Sequence, residues 1–240
     1  MKSLLNDDTA QYLKKIDYTS TWSVGHHYRF LLFANYVVKS GAKKVLDVGF
    51  GKNMLIHYLI DAGFDGEYIA VDINQDYIDA GQQEWDSEIS KRDGCECSAQ
   101  YVFGETVNME VDVVVLGEFV EHIPKDTVKD VLAGYRKQLT DGGSVIISTP
   151  NKHNGELNWP DDHEDEFELD ELLEVVAGSG LVSHQVVGYW NNTAGVKSHL
   201  TKEQLATYEN DAAYLPASLL NVQHCLSYPR DSRAVIVIAK

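Results

Sequence analysis

Two glycines one residue apart, Gly49 and Gly51, follow the apolar run Lys44-Val-Leu-Asp-Val48. The run reads as a buried strand, and Met54, Leu55, Tyr58, Leu59 and Ile60 have helical spacing directly after it. Strand, glycine turn and helix in that order make a binding loop. Glycine admits positive φ and lets a ligand approach the backbone, while a helix start leaves amide N–H groups for a polar or anionic group. About twenty residues on, Tyr68-Ile-Ala-Val-Asp72 ends in an acid where nucleotide-binding α/β folds hold ribose hydroxyls. Glu105 and Glu118 follow further apolar runs, so Asp47, Asp72, Glu105 and Glu118 gather at the carboxyl ends of strands. Four acids on one edge are costly unless a cation or hydrogen-bond donors meet them, which predicts a positively charged, donor-rich ligand. His122 and His163 are the histidines placed to take a proton near neutral pH; the competing reading gives them structural roles at a helix start and on an acidic loop.

Elements that must position these residues are legible around them. Leu4, Leu5, Tyr12, Leu13 and Ile16 allow a marginal helix over 3–16. The polar, aromatic stretch with Tyr18, Trp22, His26, His27 and Arg29 is either part of a site or a helix start with exposed histidines, and a helix is expected over Tyr28 to Val38. After Asp72 the pattern predicts a helix from Gln75 to Ser90, a third strand at Gln100–Phe103 and a fourth at Val111–Leu116. A helix from Asp126 to Leu139 follows, carrying Val128, Val131, Leu132, Tyr135 and Leu139 on a core-facing stripe. Gly142-Gly143 is read as a turn into a fifth strand at Val145–Ser148. The acids Asp161, Asp162, Glu164, Asp165 and Glu166 around His163 are read as a solvated loop before a helix from Leu169 to Ala177, whose dipole they favour. Leu181–Val187 is a sixth strand and Arg233–Ile238 closes the sheet. The intervening stretch, about 188–232, is too long for a structureless loop; it carries Trp190, His199, Tyr208, Tyr214, His224 and Tyr228 and is read as a partly helical lid.

The chain of 240 residues is read as one domain over 1–240, with an N-terminal cap at 1–40 and the inserted lid. With 37 acidic against 20 basic side chains, the net charge of −17 repels polyphosphates, so duplex nucleic acid is a poor partner and a small-molecule acceptor a better one. Cys95, Cys97 and Cys225 make neither a disulfide framework nor a zinc site. No signal-peptide pattern and no run of about eighteen apolar residues is present, so a soluble, cytoplasmic protein that does not enter the membrane is expected.

From Lys44 to about Leu181 the blocks VLDVGFG, the strand ending at Asp72, FGETVNMEVDVVVLGEFVEHI and GGSVIISTPN resemble, in order, the class I S-adenosylmethionine (SAM)-dependent methyltransferases. Within that family they resemble the ubiquinone-biosynthesis type, the methyltransferase 11–12 group. A dinucleotide dehydrogenase fits less well, because Gly49-Phe-Gly51-Lys-Asn53-Met54 lacks the last glycine of G-x-G-x-x-G. The resemblance implies an α/β, Rossmann-like sheet of seven strands, ordered 3-2-1-4-5-7-6 with the last strand antiparallel and helices on both faces. It implies SAM as cofactor, S-adenosylhomocysteine as product, and a cofactor site of Asp47, Gly49, Gly51, Asp72, Ile73, Glu105, Thr106 and Glu118. There Glu105 meets the adenine amine with Thr106 beside the ring. The expected activity is methyl transfer to an O or N atom of a small molecule, with His122 or His163 as base where a proton must leave. Two alternatives stand beside it. Glu118-x-x-Glu121-His122 with His163 also resembles the divalent-metal set of small-RNA 3′-terminal ribose 2′-O-methyltransferases. Asn53, standing where a third glycine is expected, would suit a binding module without turnover. DNA amino-methylation and cytosine-C5 chemistry are set aside, because neither a [DN]-P-P-[YF] block nor a Pro-Cys pair occurs.

Overall fold

The computed structural model describes residues 17–152, 163 and 165–240. The helix expected over 3–16 and most of the acidic loop lie outside the described residues. Seven strands form one sheet: β1 (Lys44–Val48), β2 (Glu67–Asp72), β3 (Ser98–Phe103), β4 (Val111–Gly117), β5 (Leu139–Pro150), β6 (Ser183–Trp190) and β7 (Ala234–Ala239), in the order β3-β2-β1-β4-β5-β7-β6. β1 pairs in parallel with β2 and β4, and β2–β3 and β4–β5 are parallel too. Val182 and Lys240, flanking β6 and β7, exchange both N–H···O bonds (2.7 and 3.0 Å), the signature of an antiparallel pair.

Among the described residues the α-helices are α1 (Thr21–Ser40), α2 (Met54–Asp61), α3 (Gln75–Ser87), α4 (Val128–Arg136), α5 (Leu169–Gly178), α6 (Thr193–His199), α7 (Lys202–Asp211) and α8 (Ala217–Ser227). Among the described residues none is long and apolar enough to cross a membrane. The described residues divide into two compact units, one within 30–186 with 235–240 and one of 17–29 with 187–234.

In the larger unit the central strands are buried along their length, as parallel strands with covered faces must be. Leu46, Ile69, Val114, Leu116 and Ile147 meet Val128, Leu132, Leu172 and Val176 of α4 and α5 in one apolar cluster. The smaller unit has its own small core of Val196, Tyr208 and Leu220. There the Ser218 hydroxyl donates to the Tyr18 carbonyl at 2.6 Å, and Trp22 meets Trp190 edge-to-face at 5.3 Å. Asn192 and Thr201 cap α6 and α7 by accepting from Gly195 and Gln204 amides.

Five expectations are corrected. The helix expected to run to Leu139 ends at Arg136, and Leu139 opens β5 instead of lying on the helix stripe. The helix expected from Tyr28 begins at Thr21, so the Trp22–Arg29 stretch is helical, with His26 and His27 half-buried rather than exposed. Gly142-Gly143 does not precede β5 but lies within it: Val111 faces Leu139 and Val113 faces Ser144, so the extra residues bulge out. Gly143 tolerates this because a Cβ there would stand 2.9 Å from the Asp112 carbonyl oxygen. β6 runs on to Trp190, where the Arg233 amide donates to the Trp190 carbonyl and extends the pairing. Finally, Glu166 is not solvated; it is fully buried against His163.

Candidate functional site

A cavity of about 460 Å³ opens at the carboxyl ends of β1, β2 and β3 in the larger unit, within the size range of small-ligand sites. Five predicted residues line it: Gly49, Asp72, Ile73, Glu105 and Thr106. Their positions follow from the local chain. Gly49 sits at φ +66, its amide donating to the Val71 carbonyl at 2.8 Å, and a Cβ there would come within 3.1 Å of the Phe119 ring.

Asp72 ends β2, and backbone amides orient both its carboxylate oxygens: Asn74 N donates to Oδ1 (2.8 Å) and Gly51 N to Oδ2 (3.3 Å). Each carboxylate oxygen has two acceptor positions, so capacity remains for donors in the cavity, such as a pair of hydroxyls. Ile73 is 70% exposed, an apolar side chain kept at the cavity rim. On the far wall Tyr135 donates to the Glu105 carbonyl at 3.3 Å, and Gln138 Nε2 to Thr106 Oγ1 at 3.4 Å.

Asp47, Gly51 and Glu118 are not among the lining residues. Asp47 is buried and accepts a 2.6 Å bond from the Tyr68 hydroxyl, whose proton burial and that carboxylate hold firmly. Gly51 acts through its amide on Asp72. Glu118 has φ +54; its amide reaches the Ser148 carbonyl (2.9 Å) and its carboxylate accepts from Ser148 Oγ (2.9 Å).

Sequence reasoning missed most of the apolar wall, Val48, Val71, Phe119, Ile123 and Val131. Val131 and Tyr135, expected on the core stripe of α4, do pack beside the core; the same stripe also faces the cavity. Ile123 and Pro124 could have been found, since they directly follow the Glu118–His122 block.

His122 and His163 come together. Their rings stand 5.1 Å apart at 81°, His122 exposed and His163 held 2.8 Å from the buried Glu166 by its Nδ1. Glu121, fully buried, accepts from Thr149 Oγ1 at 3.1 Å. Ligand atoms of Glu121, His122 and His163 lie within 4.8 Å of one another, whereas Glu118, the fourth member of the expected metal set, is not in that group. Lys152 and Lys125 clamp the neighbouring Asp165 at 3.1 and 3.5 Å, and Lys125 also reaches Glu171 at 2.7 Å. Asn53, whose place in the loop suggests a lost glycine, takes φ +55 and so supplies the left-handed turn a glycine would have made.

A family model described as a methyltransferase domain matches residues 14–212. Among solved structures, magnesium protoporphyrin IX methyltransferase (ChlM) from Synechocystis PCC 6803, with bound SAH, is similar at a TM-score of 0.60 and 14% identity, covering 100% of this chain and 89% of its own. The cyclopropane synthase MmaA2 from Mycobacterium tuberculosis gives 0.54 and 17%, covering 87% of this chain and 84% of its own. The mitomycin 7-O-methyltransferase MmcR gives 0.57 and 13%, covering 93% and 61%. No curated protein matches the sequence.

Proposed function

The chain belongs to the methyltransferase-domain family, and from that premise we propose that it transfers a methyl group from SAM to an oxygen or nitrogen atom of a small-molecule acceptor. The observation that carries this reading is Asp72, its two carboxylate oxygens oriented by the Gly51 and Asn74 amides at the cavity edge. That arrangement suits the two ribose hydroxyls of the cofactor. Glu105 and Thr106 suit its adenine amine, and the apolar wall with Ile73 suits the ring faces. The Gly49–Gly51 turn leaves room for the methionine part, and Glu118 and Asp47 add negative charge for its ammonium and sulfonium. Neighbouring structures support the same donor, ChlM having been seen with both SAH and SAM.

When bound, SAM supplies an electrophilic methyl on a cationic sulfur. The protein's part is then to hold the acceptor atom in line with that methyl, since displacement from a sulfonium needs alignment more than a covalent partner. His122 is the base where the acceptor carries a proton; His163, oriented by Glu166, stands behind it. The reading assigns the enzyme to the cytoplasm.

In calorimetry the wild-type protein is expected to bind SAM saturably, and Asp72→Ala to weaken binding by about 1–3 kcal/mol, the loss of hydrogen bonds to a charged acceptor. Equal affinity in the variant would overturn the assignment. His122→Ala should lower kcat by roughly 10²–10⁴-fold on a hydroxyl acceptor with SAM affinity unchanged.

A second reading rests on the Glu121, His122 and His163 cluster: a divalent ion held there, with methylation of an RNA 3′ end. Its test is activity abolished by EDTA and restored by manganese. The net charge of −17 favours the small-molecule reading.

A further inference from the structure

We propose that Asn53, Glu84 and Tyr101 form a brace behind the glycine loop, and that Asn53 is a positioning residue which holds the loop in its cofactor-binding conformation. The inference deepens the SAM reading and rests on it.

Asn53 sits at φ 55, ψ 32, and it and Glu118 are the two non-glycine residues with positive φ among those described. Asparagine bears that conformation better than most residues, yet glycine bears it best, so the side chain needs a reason. Its place directly before α2 offers one, capping, in which the side-chain oxygen would accept from an amide of the first turn. No such bond forms. Instead, only 3% exposed, the amide is spent in two other directions. Nδ2 donates to Glu84 Oε2 on α3 at 2.9 Å, and Oδ1 accepts from the Tyr101 hydroxyl on β3 at 3.0 Å. The other Glu84 oxygen lies 3.1 Å from His57 Nε2, so one carboxylate ties both the start and the second turn of α2 to α3.

A glycine in mid-helix points to the same device. Gly81 lies inside α3, where glycine is unfavourable. A Cβ there would stand 2.5 Å from Tyr101 Cε1 and 3.2 Å from Phe50 Cε2. Its absence lets Tyr101 pass over the helix to Asn53 and lets the Phe50 ring, between the two loop glycines, pack at 5.5 Å on Tyr101. None of Asn53, Glu84, Tyr101 or Gly81 lines the cavity. The brace acts through the loop, whose Gly51 amide then reaches Asp72.

The test uses the full chain with Asn53→Gly, Asn53→Asp, Glu84→Gln and the double variant Asn53→Asp/Glu84→Gln. Asn53→Gly keeps the backbone conformation and removes both side-chain bonds. Its Kd for SAM should rise about tenfold, the size of one or two lost hydrogen bonds, with KM for SAM rising and kcat at saturating SAM unchanged. Asn53→Asp sets two carboxylates against each other and should bind more weakly still. In the double variant the new amide at position 84 can donate to the new carboxylate at position 53, and Kd should return to within about threefold of wild type, as coupled neighbours do.

Without ligand, amide exchange over 49–53 should speed up in Asn53→Gly. Wild-type affinity and exchange in Asn53→Gly, or no rescue in the double variant, would overturn the brace. A wild-type protein that fails to bind SAM would overturn the SAM reading instead, and the exchange rates would still decide the brace.

Discussion

Glu118 carries a cost that its neighbours must offset. A non-glycine residue in the left-handed region loses about 1–2 kcal/mol, and Glu118 holds φ +54 with Ser148 bonded to both its amide and its carboxylate. Glu118→Gly removes the strain and the carboxylate together. The two contributions are of similar size, so the melting temperature should move by less than about 4 °C, the shift expected for 1 kcal/mol in a chain this long. SAM affinity, by contrast, should fall about tenfold, as for one lost charge-assisted bond. A variant that binds SAM as well as wild type would leave the strain as a feature of the β4–β5 edge alone.

At the scale of elements, β4 is joined to its neighbours by Asp112. Its Oδ2 accepts from the amides of Lys43 and Lys44 at 2.8 and 2.9 Å, where β1 begins, and its Oδ1 from Thr140 Oγ1 of β5 at 2.7 Å. Burial by itself raises its pKa, but the Lys43 amide, the Thr140 hydroxyl, the Lys44 amide and the Lys44 charge outweigh it and hold the carboxyl below its usual value. A depressed folded pKa contributes stability that is fully present above the unfolded value, about 3.9, and is lost as pH falls through the folded one. Asp112→Asn should therefore cost about 1 kcal/mol at pH 7 and flatten the loss of stability below about pH 4. Parallel acid limbs in thermal melts of the two proteins would count against this role. The β-strand pattern of 111–116 was legible in the sequence, but not this clasp, because its partners are the backbone of Lys43 and Lys44 and a threonine of another strand.

Over the whole molecule the excess of acids sets the response to salt. At about 0.01 M ionic strength charges interact over roughly 30 Å, and at 0.15 M over about 8 Å. A net charge of −17 repels itself across the first distance and far less across the second. The melting temperature should therefore rise with salt over that range. A fall would mean that exposed pairs such as Lys43–Asp65 and Lys197–Glu209 outweigh the repulsion.

The strands along the chain and the acids at their ends were readable from the sequence, because burial on both faces leaves continuous apolar runs and a glycine turn permits few conformations. The order of those strands in the sheet came from the family resemblance. Gly49, Asp72 and Glu105, which line the cavity, follow from position at the ends of those runs. What only the tertiary structure decided was which distant groups share a place. The Asn53–Glu84–Tyr101 brace joins residues from three elements, and Gly81 has a meaning only beside the Tyr101 ring. Glu166 reads as solvated within its acidic run, and only its packing against His163 shows it buried. Contacts of this kind depend on how elements pack against one another, and local pattern carries no record of them.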